Sequence, residues 1–171
     1  MAIVATADAG LRARVKGATI LQLRDPEASV RTLEREARRL IPTATVPVIV
    51  SSRVDVALVT KAYGVHLPER DVPVAEARRL LPKGLIGRSV HSVEAAQEAE
   101  RETADYVVFG PVFPTVSHPH ASPVGLDALR DVAQSVKIPV LAIGGVEPAL
   151  EESCWKAGAA GFAAIAYFQA R

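Results

Sequence analysis

The stretch VPVIVSSRVDVALVTKAYGVHLP, residues 46–68, carries two short apolar runs, VPVIVSS (46–52) and YGVHLP (63–68), with a helix-length segment between them. Neither run shows strict alternation, which is how strands covered on both faces read. Two such strands joined by a crossover helix make a parallel unit. The same kind of run recurs outward in both directions: AIVAT (2–6), TILQLR (19–24), LIGRSV (85–90), YVVFG (106–110), PVLAIGG (139–145) and GFAAIAY (161–167). Helical runs separate them. ASVRTLEREARRLI sets Val30, Leu33, Ala37, Leu40 and Ile41 on one stripe. SVEAAQEAERE opens with Ser92 as its N-cap, and GLDALRDVAQSV sets Leu126, Leu129, Val132, Ala133 and Val136 on one face.

Eight strands alternating with helices predict a closed parallel barrel, an α/β fold of the (β/α)8 TIM type, formed by residues 1–171 as a single domain. An open doubly wound sheet would need a glycine-rich turn after its first strand, and ATADAGLRA does not supply one. At 171 residues the barrel is small. The connection ADAGLRARVKG allows only a stub of first helix, and FQAR after the last strand leaves no eighth helix. The surface that helix would cover suggests a second copy of the chain, hence a homodimer.

A net charge of +1 gives no electrostatic reason to expect nucleic acid or an anionic membrane as partner. No apolar run is long enough to span a bilayer, and the N-terminus does not read as a signal peptide. The single cysteine, Cys154, excludes an internal disulfide, so a reducing, cytoplasmic setting is expected. Its surroundings read as a buried small residue rather than a reactive thiol.

In such barrels chemistry sits at the C-terminal strand ends and the loops that follow. Those positions hold Gln22, Arg24 and Asp25; Ser51, Ser52 and Arg53; Glu69 and Asp71; Arg88, Ser89 and His91; Thr115, Ser117, His118 and His120; Gly144 and Gly145; and Ala166. The glycines of IGGV (143–146) let backbone amides approach an anion, and phosphate sites are common after strands seven and eight. Arg24 is expected either to hold an anion or to pair with Asp25 or Asp71, and Arg88 either to hold an anion or to pair with Glu69. His66, inside a strand, reads as a packing residue.

The segments LQLRD (21–25), SSRVDVAL (51–58), GVHLPERDVP (64–73), IGRSVHSVEAAQEAE (86–100), ADYVVFGPVFPTVSH (104–118), PVGLDALRDV (123–132) and IPVLAIGGVEP (138–148) resemble the thiamine phosphate synthase/TenI superfamily along almost the whole chain. The resemblance implies one of two activities. Synthases join a pyrimidine diphosphate to a thiazole phosphate with Mg²⁺. TenI-type tautomerases move a proton on a thiazole carboxylate phosphate without a metal.

Of the synthase pattern the chain keeps Gln22, Arg24, Asp71, Ser89, Thr115 and the IGG loop. It has Pro26 for a lysine, Ser51 and Ser52 for the Asn-Asp pair that helps hold diphosphate and metal, His118 for a second lysine, and Ala166 for a serine. The segment GRSVHS (87–92) is TenI-like, although Pro111 stands where the tautomerase has a histidine. The expectation from these substitutions is a metal-independent tautomerase, an isomerase with no cofactor. His118 and His91 would be its proton-transfer groups. Gln22, Arg24, Ser51, Asp71, Arg88, Ser89, Thr115 and Ser117 would bind a small phosphorylated thiazole, and Gly144, Gly145 and Ala166 its phosphate. The alternatives are a non-catalytic phosphate-binding barrel and a divergent Mg²⁺-dependent synthase.

Overall fold

The computed structural model of the chain describes residues 1–116 and 121–169. Eight strands lie in one parallel sheet in chain order: β1 (Ala2–Val4), β2 (Leu21–Leu23), β3 (Val48–Ser51), β4 (Gly64–Leu67), β5 (Leu85–Val90), β6 (Tyr106–Phe109), β7 (Val140–Ile143) and β8 (Gly161–Ala163). The sheet closes on itself. Ala164 bridges to Ala2, the Ile3 amide donates to the Ala164 carbonyl at 3.0 Å, and the Ala164 amide donates to the Met1 carbonyl at 3.1 Å. The barrel expected from the strand count is therefore present.

β1 to β4 and β6 look unalternating because both faces are buried, yet the two faces differ. Leu21 and Leu23, Val48 and Val50, Val65 and Leu67, and Val107 and Phe109 belong to the outer core under the helices. Ile3, Ile49, Tyr106, Val108 and Ala163 fill the barrel itself. Alternation then turns Gln22, Ser51 and His66 inward as well, which places polar groups inside the barrel.

The helices are α1 (Ala7–Val15), α2 (Val30–Leu40), α3 (Val54–Thr60), α4 (Val74–Leu80), α5 (Val93–Arg101), α6 (Gly125–Ser135), α7 (Glu151–Lys156) and α8 (Ala166–Gln169). Ser92 caps α5 as its spacing predicts, accepting from the Ala95 amide at 3.1 Å. Two differences from the sequence reading concern the ends. α1 is not a stub but spans nine residues. Its start is held by Thr6, which accepts from the Ala9 amide, and by Glu36 of α2, which accepts from the Ala7 amide at 3.1 Å. That buried carboxylate is held below its usual range, first by the Ala7 hydrogen bond. After β8 the chain forms the four-residue α8 where no helix was expected. The stripe on α2 is narrower than its sequence suggests: Leu33, Ala37 and Leu40 are buried, while Val30 is 40% exposed.

Candidate active site

Toward the C-terminal strand ends, His66, Tyr106 and Ser89 form a hydrogen-bonded cluster, with Ser51 in register beside it. Ser51, His66, Gly87 and Tyr106 are successive register partners across β3 to β6. His66 Nδ1 lies 3.1 Å from the Tyr106 hydroxyl, and its Nε2 lies 2.9 Å from Ser89 Oγ. The Tyr106 ring fits because position 87 is glycine; a Cβ there would sit 2.0 Å from the ring. Gln22, 2% exposed, lies beside Ile3 and Ile49, and its Oε1 has no partner among the described residues. A buried acceptor left unpaired is costly and suits a ligand that brings a donor.

His66 is thus more than packing. Burial, reinforced by the Arg88 and Arg24 charges, pulls its pKa down to about 3, so it is neutral in the folded protein. The unfolded chain takes up a proton near pH 6.5, and the folded one does not until about pH 3. Stability from this group is therefore complete above pH 6.5 and is lost as pH falls toward 3. Between pH 7 and pH 5 the wild-type protein is expected to lose about 2 kcal/mol more than His66→Gln. Urea unfolding of both proteins at the two pH values measures this, and equal losses would show that His66 is not buried neutral.

Around this cluster the loops divide into tethered and open groups. Arg88 does not pair with the Glu69 carboxylate. Its guanidinium donates to the carbonyls of Val72 at 2.8 Å, Glu69 at 2.6 Å and Asp71 at 3.5 Å. Glu69 instead accepts from the His91 amide at 3.0 Å and sits 2.9 Å from its Nδ1. Arg88 and His91 therefore brace the loop after β4 rather than reach into the mouth. Asp71 accepts from the Val72 amide through Oδ1, and its Oδ2 has no partner among the described residues. Arg24 is exposed beyond β2 and makes no ion pair among the described residues, so the salt bridge weighed for it is not formed.

Gly144 and Gly145 both take left-handed backbone, with φ of +92° and +65°. Their turn rests on the segment after β6: the Val112 amide donates to the Ile143 carbonyl and the Phe113 amide to the Gly144 carbonyl. Among the described residues the amides of Gly145 and Val146 have no hydrogen-bond partner. Two adjacent donors beside glycines suit an anion. Thr115 is half-buried on the neighbouring segment, and Ala166 begins α8, exposed. Ser117, His118 and His120 lie outside the described residues. Cys154 is buried on α7 and burial raises its pKa, as a structural thiol requires.

The structure brings Ser51 and Ser89 to His66, keeps Gln22 on the same inward face, and adds Tyr106, which the sequence did not single out. Tyr106 was masked by its apolar run; its signal was a glycine, Gly87, two residues before Ser89 on the next strand. Glu69 was weighed only as a partner for Arg88.

The thiamine monophosphate synthase family model matches residues 2–168. The chain belongs to that family. It is 46% identical over 155 residues to a thiamine-phosphate synthase of Chloroflexus aurantiacus, covering 88% of this chain and 72% of that protein. It is 47% identical over 159 residues to that of Methanocella arvoryzae, covering 90% and 75%. Its fold matches the thiamine phosphate pyrophosphorylase of Pyrococcus furiosus with a TM-score of 0.86 at 37% identity, covering 96% of this chain and 84% of that one. These relatives overturn the tautomerase expectation, which put too much weight on lost lysines and a lost acidic residue. Pro111, where a tautomerase histidine would stand, packs directly under Gly144, against the position a Cβ there would take.

Proposed function

We propose that this chain is a thiamine-phosphate synthase, joining a pyrimidine diphosphate to a thiazole phosphate with release of pyrophosphate. The observation that carries this is identity of 46–47% over 88–90% of the chain to proteins of that name. In the reaction the bond from the pyrimidine's methylene carbon to the diphosphate oxygen breaks. Pyrophosphate leaves with the electron pair, and the thiazole nitrogen takes the carbon.

The residues have distinct tasks. Arg24 meets the diphosphate with a delocalised charge and paired donors. The Gly145 and Val146 amides hold the thiazole phosphate. Gln22 and Ser89 orient the pyrimidine diphosphate from inside the barrel. These groups offset charge that develops on the leaving group.

Magnesium is held by one or two carboxylates together with phosphate oxygens. Among the described residues no cluster of three acidic, histidine or cysteine side chains is present, but Asp71 has an unengaged Oδ2. The donors fit an ion that arrives with the diphosphate, held by Asp71 and assisted by Ser51 and Ser52. When bound, it would neutralise the departing pyrophosphate.

The test is direct: purified protein, both substrates and Mg²⁺, with thiamine phosphate and pyrophosphate followed together. Absence of both products would refute the reading. A companion prediction concerns Ser52, whose φ of 62° is a left-handed conformation that aspartate adopts more readily than serine. Ser52→Asp is expected to lower the half-saturating Mg²⁺ concentration at least about tenfold, the scale of metal-site effects. A magnesium titration of initial rate reads it, and an unchanged midpoint would remove Ser52 from the metal's surroundings.

A further inference from the structure

Neutral imidazole carries one N–H and one lone pair, so a histidine hydrogen-bonded at both nitrogens gives its chain a direction. His66 is bonded at both, to Tyr106 at Nδ1 and to Ser89 at Nε2, in a site where only 4% of the residue is exposed. Tyr106 decides the direction. Apart from His66, the group within reach of its hydroxyl among the described residues is Met1 Sδ at 3.9 Å. A thioether is a weak acceptor, whereas an imidazole lone pair is a good one. The phenol proton therefore goes to Nδ1, the imidazole proton sits on Nε2, and Nε2–H donates to Ser89 Oγ. The hydroxyl proton of Ser89 is left to point away from His66, toward the mouth.

We infer that His66 is a positioning residue whose tautomer, fixed by Tyr106, makes Ser89 a hydrogen-bond donor to substrate, so that this position selects a ligand atom that accepts. An anionic oxygen or an unprotonated ring nitrogen satisfies it, and an amino group does not. The inference rests on the synthase reading for the identity of the ligand. It explains three features that packing alone leaves without a reason: a histidine inside a barrel, a tyrosine hydroxyl packed among Met1, Ile3 and Ile49, and a glycine at position 87 that admits the tyrosine ring.

The test uses the full chain with ¹⁵N-labelled histidine, the His66 signals being assigned by their loss in His66→Gln. The wild-type protein is expected to show Nδ1 unprotonated and Nε2 protonated at neutral pH. A protonated Nδ1 overturns the inference. Tyr106→Phe keeps the ring and removes the lock, leaving Nδ1 without a partner in either tautomer. The two tautomers should then mix. Binding of the pyrimidine diphosphate, measured calorimetrically without thiazole phosphate, should weaken about twofold as the competent fraction halves. Ser89→Ala should weaken it about tenfold, the loss of one hydrogen bond to a charged or strongly accepting atom. Wild-type binding with Tyr106→Phe indistinguishable in tautomer or affinity sinks the inference alone. No wild-type binding sinks the synthase reading and the selection role with it, while the Nε2–H signature would still be read from the free protein.

Discussion

Arg24→Ala is expected to lower kcat/KM for the condensation about 10²- to 10⁴-fold while leaving the melting temperature within about a degree of wild type. The rate loss follows from two charge-assisted hydrogen bonds to a diphosphate, each contributing about 1.5–3 kcal/mol. The unchanged stability follows from the structure: Arg24 is exposed and makes no ion pair among the described residues, so removing it leaves no buried charge. Its main-chain amide, which donates to the Val4 carbonyl at 2.8 Å, is untouched by the substitution. Arg24→Lys should recover only part of the loss, since an ammonium cannot present parallel donors. Steady-state kinetics beside thermal unfolding checks the pair of outcomes. A large fall in melting temperature would mean that Arg24 is structural.

Gly145→Ala is expected to cost both binding and stability. At φ +65° an alanine is strained, and its Cβ would lie 2.3 Å from the Pro114 carbonyl oxygen and 2.8 Å from Phe113 Cβ. The strain and the overlap together should destabilise the protein by about 2–4 kcal/mol. The turn can relieve the overlap only by moving away from the segment after β6, which swings the Gly145 and Val146 amides off their common target. Affinity for inorganic phosphate should therefore fall about tenfold or more. Urea unfolding and phosphate titration measure the two halves. Gly17→Ala serves as a control, because that glycine also has positive φ but a Cβ there meets nothing within 4 Å. It should share the backbone strain and leave phosphate binding alone.

The barrel itself was legible because periodicity carries it. β5 matches its run LIGRSV residue for residue, and the two-sided burial of β1 to β4 and of β6 is what made those runs look continuous. α1 was misjudged because its stability comes from elsewhere: Glu36 of α2 reaches across to the first amide of that helix. No local pattern around residues 7–15 contains that contact. The site was legible as a set of positions at the strand ends, and less so as a set of roles. Arg88 and Glu69 lie at neighbouring strand ends and carry opposite charges, yet the guanidinium takes the loop carbonyls and the carboxylate takes His91. Which acceptor a side chain chooses depends on loop geometry, which strand-level reasoning does not supply. His118, on which the isomerase reading leaned, lies outside the described residues, and comparison with relatives decided what that single position could not.

The Arg88 tether has a consequence for remodelling the mouth. One guanidinium rivets residues 69–72 by three carbonyls, and Glu69 ties the same loop to the start of α5. The loop after β2 is held differently, by short-range bonds within itself, from the Glu27 amide to Asp25 Oδ1 and from the Ala28 amide to the Asp25 carbonyl. An inserted residue after β4 must break the rivet and displace Asp71, whereas one after β2 lengthens a self-contained turn at a closure cost that grows only slowly with length. The rim of this barrel therefore has a stiff flank and a pliable one, and new specificity is most readily grafted onto the pliable flank beside Arg24.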